Sequence, residues 1–207
     1  MPVLGRGRRS RPHYTMTYYR RKLPPWQPGE AAIFLTWRLH GSSPDSWLVR
    51  PDAPNAGKDF VLADRALDRV DRGPLWLKDP RIAKIVVDSF FCGDEQLEQY
   101  VLHAYVVMAN HVHLLLSPKV QLARITRSIK GSTARRANEI LGRTGELFWR
   151  RESYDHWVRS PAEFRKIVRY IEWNPVKAGL VKDPQEYPWS SARWRALDES
   201  GMREEAF

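Results

Sequence analysis

The apolar positions of this chain follow two rhythms. "AAIFLTWRLHG", residues 31–41, is β-branched and aromatic and closes on glycine, which predicts a strand. "YVLHAYVVM" at 100–108 and "HVHLLLSP" at 111–118 predict two more strands. Only Ala109 and Asn110 separate them, the connection of an antiparallel hairpin. "FWRRESYDHWVR", 148–159, predicts a fourth strand. The second rhythm is helical. Residues from Asp59 to about Gln96 read as helix, most clearly where Ile82, Ile85, Val86 and Phe90 recur behind Asp79 as cap and Pro80 as first residue. The basic stretch 122–143 predicts a long helix, with Gly131 the place where it would break. Ser160 and Glu163 make a capping box ahead of a last helix, with Pro161 at its first position. Phe164, Ile167, Val168 and Ile171 form that helix's apolar stripe.

The order is therefore strand, helix, strand, strand, helix, strand, helix. It predicts an α+β fold, a ferredoxin-like (RRM-like) antiparallel sheet with helices on one face and an open face for a ligand. The organisation expected is a basic N-terminal arm over 1–30, a folded domain over 31–181 and a C-terminal tail over 182–207 rich in proline and tryptophan. Residues 42–58, rich in proline, serine and glycine, read as a loop. No internal repeat is visible.

Charge narrows the partners. Lysines and arginines number 34 against 24 acidic residues, a formal net charge of +10. That excess favours a polyanion, nucleic acid first. The arm concentrates it in Arg6, Arg8, Arg9, Arg11, Arg20, Arg21 and Lys22, suited to sequence-independent, salt-sensitive contact with phosphates. Arg124, Arg127, Lys130, Arg135 and Arg136 give the long helix a cationic ridge, read as phosphate-binding. The single cysteine, Cys92, permits no disulfide within the chain and no thiolate zinc site, which fits a reducing cytoplasm. No apolar run reaches the roughly 18 residues of a membrane helix, and the basic N-terminus is followed by no apolar segment of a secretory signal. No membrane partner is expected.

Candidate chemistry begins with two imidazoles in an apolar run. Side chains alternate along a strand, so His111, His113 and Leu115 share one face, and Val112, Leu114 and Leu116 the other. The aliphatic face belongs under helices, which leaves the histidines on the open side, about 6.6 Å apart along the backbone and able to lean onto one metal ion. Alone, such a pair is more often hydrogen-bonded or solvated. His103 and Tyr105 alternate on the neighbouring strand and are expected to line the same face. Tyr154 reads as structural. Tyr170 and Asn174 lie four apart on a flank of the last helix's stripe, and Pro175 puts them at its final turn. From the residues alone, Tyr170 reads more often as a core aromatic with a wet hydroxyl, and Asn174 as a helix stop.

"VVMANHVHLLL" followed by "YIEWNPVKAGLV" resembles the HUH single-strand transposases with one catalytic tyrosine, and more closely the REP-associated tyrosine transposases of bacteria. "PGEAAIFLTWRLHGSSP", "SIKGSTARRAN", "FWRRESYDHWVR" and "YPWSSAR" extend the likeness in order over most of the chain. The resemblance implies that His111 and His113 are the metal-binding pair, Tyr170 the nucleophile and Asn174 the third metal ligand. Compact relatives carry glutamine at that last position, and the amide oxygen is preserved here on a shorter arm. It further implies a metal-dependent transposase and single-strand DNA endonuclease that cuts and rejoins strands at palindromic hairpins through a 5′-phosphotyrosine. The work is expected in a bacterial, nucleoid-associated setting, with a monomer favoured over a homodimer. Oxygen-rich coordination suits Mg²⁺ or Mn²⁺, whereas imidazoles alone suit zinc equally, so the metal's identity stays open. The alternative function is a ferredoxin-like nucleic-acid-binding regulator that no longer cuts.

Overall fold

Every second residue of the first strand is apolar and large, and this alternation decides how the sheet is layered. In the computed structural model, residues 31–42 and 73–194 are described. The basic arm with Arg8, Arg9, Arg11 and Arg21, residues 43–72 and the chain end from 195 lie outside the described residues. Strand β1 is Ile33–Arg38, β2 Tyr100–Val107, β3 His111–Pro118 and β4 Tyr154–Trp157. They form one sheet in the order β2-β3-β1-β4, every neighbouring pair antiparallel. This is the ferredoxin-like arrangement expected from the order of elements.

Ile33, Leu35, Trp37 and Leu39 join Val112, Leu114 and Leu116 on one face. Helices α1 (Pro80–Phe91) and α2 (Leu122–Leu141) cover it through Ile82, Val86 and Phe90 from the first and Ile125, Ile129 and Ala137 from the second. Each fully buried aliphatic or aromatic side chain contributes about 1.5–3 kcal/mol, so this layer dominates the domain's stability. Asp79 caps α1 by accepting from the Arg81 N–H at 2.9 Å, with Pro80 in the first turn, as its sequence predicts. α2 runs unbroken through the exposed Gly131 and ends at Gly142, whose φ of +65° is the left-handed cap geometry that glycine adopts without strain.

The other face is not bare. Helix α3 (Pro161–Glu172) lies across it, seating Phe164 and Ile171 with Phe34, Ala104, Val106 and Leu115. The apolar stripe was legible, but a stripe does not say which side of a sheet it covers. Ser160 caps α3 by accepting from the Glu163 N–H at 3.2 Å. Glu163 reaches past the cap to the Arg159 N–H at 2.7 Å and pairs with His156 at 2.9 Å. Burial pushes the Glu163 carboxyl up, but these bonds outweigh it and hold the group below its ordinary range.

Two details depart from the alternation. A bulge between Leu102 and Ala104 shifts the register of β2 by one residue. His103 consequently packs edge-on to Phe164 on the α3 side, whereas Tyr105 turns to Phe90 and Phe91 on the other. The expectation that His103 and Tyr105 share a face is thereby corrected. The fourth strand is also shorter than predicted, because residues 149–150 meet β1's end through a lone bridge and a single bond before the paired stretch begins.

The segment 187–194 docks on the outer edge of β2. The Val107 N–H donates to Trp189 O at 2.9 Å, the Ser191 N–H donates to Tyr105 O at 3.0 Å, and Ser191 Oγ donates to Glu172 of α3 at 2.8 Å.

Candidate active site

The site starts from two imidazoles on β3. His111 and His113 point to the α3 side, both fully buried, with ring centroids 4.9 Å apart. Each is oriented through Nδ1. The carboxamide oxygen of Asn110 lies 2.7 Å from His111 Nδ1, and Thr36 Oγ1 lies 2.7 Å from His113 Nδ1. A carboxamide oxygen only accepts, so His111 Nδ1 donates and its Nε2 keeps a lone pair. Asn174 Nδ2 donates to His113 Nε2 at 3.3 Å, which puts His113 in the same tautomer, its Nδ1 donating to Thr36.

Sequence reasoning missed Thr36 and Asn110. The signals were present: a hydroxyl alone in an apolar strand, and an amide directly before the first histidine. What was missing was the register that sets Thr36 opposite His113.

Asn174 reaches His113 because the chain keeps turning after α3. Trp173 interrupts the helix for one residue, and α4 (Asn174–Lys177) continues it with Pro175 in its first turn, where a missing N–H costs nothing. Tyr170, one turn earlier, is half-buried with its ring edge-on to His113 at 5.7 Å and to Phe34 at 6.2 Å. Phe34 itself stacks on His113 at 5.6 Å, so one ring fixes both the imidazole and the phenol. The structure thus brings His111, His113, Tyr170 and Asn174 together on one side of the sheet.

The tyrosines of the sheet itself stand in other settings. Burial raises the phenols of Tyr100 and Tyr105, and both lie on the opposite face. Tyr154 sits on the histidine side against Phe34, but burial and then the charges of Asp155 and Glu163 raise its phenol as well.

The donor set fits a divalent cation. Among the described residues there is no cluster of three His, Cys, Asp or Glu side chains, and the side chain beside His113 that could add an oxygen donor is the Asn174 amide. Half a turn of the Asn174 amide about its last torsion exchanges nitrogen for oxygen at 3.3 Å from His113 Nε2. That is close to the ~3 Å edge of an octahedron with ~2.1 Å metal–ligand bonds.

The basic ridge lies elsewhere. Arg124, Arg127, Arg135 and Arg136 are exposed on α2, behind the sheet from the histidines. The ridge therefore does not adjoin the imidazole pair. Lys130 is turned inward, donating to Arg151 O at 3.0 Å and Ser153 Oγ at 3.1 Å. A cleft of about 700 Å³ opens there, lined by Arg127, Lys130, Gly131, Trp149, Arg150 and Arg151.

Comparison with known proteins bears on this geometry. Residues 83–174 match the family of IS200-like transposases. The matched segment begins inside α1 and ends on Asn174, so it takes in the histidine pair, the tyrosine and the amide. A solved REP-associated tyrosine transposase bound to a REP hairpin shares the fold at a TM-score of 0.50 and 20% identity, over 85% of this chain and 82% of its own. The family match and the shared fold agree with the resemblance drawn from the motifs. A second structure, a transposase assigned only provisionally and coming from Deinococcus radiodurans R1, is 17% identical over 74% of this chain and 98% of its own, at a TM-score of 0.35. The curated proteins include no match. Among the described residues, no helix of the chain is long and apolar enough to cross a membrane.

Proposed function

We propose that this chain is a metal-dependent, tyrosine-using transposase that cleaves single-stranded DNA beside a hairpin and rejoins strands through a 5′-phosphotyrosine. The observation that carries the reading is convergence on one imidazole: the Asn174 amide lies 3.3 Å from His113 Nε2, and the Tyr170 ring lies 5.7 Å from the His113 ring. A phenol, with an ordinary pKa of about 10, is a weak nucleophile at neutral pH and needs help. A divalent ion held by His111, His113 and Asn174 would supply Lewis-acid polarisation of the scissile phosphate.

The chain's own residues do the rest. Asn110 and Thr36 hold each imidazole with Nε2 facing inward. Phe34 and the apolar stripe of α3 hold the Tyr170 ring. In the step proposed, Tyr170 Oη forms a bond to phosphorus, the bond from phosphorus to the 3′ oxygen breaks, and that oxygen takes up a proton as a free hydroxyl. The phosphodiester energy is retained, so the reverse reaction rejoins strands without ATP. The hairpin as substrate is supported by the REP hairpin carried by the similar structure. The exposed arginines of α2 and the cleft beside β4 are where phosphates beyond the cut would run, and sugar–phosphate contact there would be independent of base sequence.

The test is a Tyr170→Phe variant incubated with labelled hairpin DNA and Mn²⁺. It should form no denaturation-resistant adduct while binding the hairpin within about threefold of wild type. Adduct formation by the variant would refute the assignment. Hairpin binding with no adduct from the wild type would favour the non-cutting regulator instead.

A further inference from the structure

The phenol read above as the nucleophile has a cation over it. Lys177 Nζ lies 4.4 Å from the centroid of the Tyr170 ring. The placement follows from spacing: residues 170, 174 and 177 stand at i, i+4 and i+7, one stripe along two helical turns. The stripe is continuous across the junction, because the Trp173 N–H donates to Arg169 O at 3.0 Å, Lys177 N–H to Trp173 O at 3.1 Å and Ala178 N–H to Asn174 O at 3.0 Å. Tyr170 and Asn174 from this stripe converge on His113, and Lys177 is its solvent-exposed end. An ammonium over an aromatic face at an exposed site gains only about 0.5–1 kcal/mol, less than it gains from the full negative charge of a phosphate.

We propose that Lys177 is a further catalytic residue, whose ammonium contacts a non-bridging oxygen of the scissile phosphate as Tyr170 attacks. This rests on the reading of Tyr170 as nucleophile. The chemistry is that of a compact, mobile point charge on a transferring phosphoryl group. As the bond from Tyr170 Oη to phosphorus forms and the bond to the 3′ oxygen breaks, charge builds on the non-bridging oxygens, and the ammonium meets it. The proton of the phenol leaves to solvent, so Lys177 remains charged throughout and acts as an electrostatic clamp.

The experiment uses the full chain and an oligodeoxynucleotide hairpin with single-stranded flanks, chosen from a pool of randomised flanks for wild-type adduct formation in Mn²⁺. The scissile linkage is prepared both as the natural phosphodiester and as an uncharged methylphosphonate. On the natural linkage, Lys177→Ala should slow adduct formation about 100-fold and Lys177→Arg should restore at least about tenfold. Hairpin affinity should stay within about threefold in both. On the methylphosphonate, which has lost the negative charge and one of the two non-bridging oxygens, the deficit of Lys177→Ala should shrink at least about tenfold. An equal deficit on both linkages, or a matching loss of hairpin binding, would overturn the proposal by showing a structural role. Wild-type adduct on Tyr170 with an undiminished Lys177→Ala rate sinks the Lys177 proposal alone. Absence of any wild-type adduct across the pool sinks the Tyr170 reading and this one with it.

Discussion

Thr36→Val isolates one link of the proposed metal centre. Valine keeps the shape of threonine and removes the hydroxyl that receives the His113 Nδ1 proton at 2.7 Å. Thr36 is 6% exposed and His113 fully buried, so water is poorly placed to substitute. A buried N–H deprived of its acceptor costs about 1–3 kcal/mol. For a domain of this size, with ~2–4 °C per kcal/mol, melting should fall by about 2–12 °C. The second effect falls on the ion. An imidazole whose outer nitrogen loses its partner is free to rotate and is a weaker donor, which costs about 10–100-fold in metal affinity. At about 1.4 kcal/mol per decade, this is about 1.4–2.8 kcal/mol of binding energy. Calorimetric titration with Mn²⁺, beside thermal melts with and without Mn²⁺, separates the two. Thr36→Ser, which keeps the hydroxyl, should stay within about threefold of the wild-type affinity. Unchanged Mn²⁺ affinity in the valine variant, alongside a lowered melting point, would refute His113 as a ligand; no change in either would show that the hydrogen bond contributes nothing.

Two further outcomes follow from packing and burial. Gly93 lies against the Tyr100 side chain, whose hydroxyl donates to Phe90 O at 2.7 Å, so a Cβ at 93 would collide with the phenol; Gly93→Ala should lose about 1–3 kcal/mol in urea unfolding, and wild-type stability would contradict the packing. Burial pulls the Lys130 ammonium down to about 8, with the Glu152 charge opposing it, so a ¹³C-methylated Lys130 should titrate near 8. The unfolded chain binds more protons than the folded chain between about 8 and the ordinary 10.5, so this group's contribution makes the fold more stable as pH rises through that window. Comparing wild type with Lys130→Met across pH should show that slope only in the wild type.

The parts of the site that came from local periodicity were legible in the sequence. Alternation along β3 separates His111 and His113 from Val112, Leu114 and Leu116, and the structure keeps that division. Four-residue spacing sets Tyr170 and Asn174 on one flank of a helix whose cap and stripe were equally plain. Long-range pairing decides what was not legible. Thr36 orients His113 from 77 residues away, through a register that no local pattern encodes. The β2 bulge sends Tyr105 away from His103, and nothing in "YVLHAYVV" marks an inserted residue. The side of the sheet that α3 chooses follows from what Phe34, Ala104 and Leu115 leave uncovered. α4 continues past Pro175 because proline is tolerated in a first turn, whereas the sequence predicts a stop there.

The central claim is that a particular phenol takes the broken strand, and peptide mapping tests it most directly. Wild-type protein is allowed to react with 3′-flank-labelled hairpin DNA in Mn²⁺, denatured, digested, and read by mass spectrometry for the residue bearing the nucleotide. The account predicts a nucleotide linked through its 5′ phosphate to Tyr170. A nucleotide on Tyr154 or any other residue, or hairpin bound tightly with no covalent product, would contradict it.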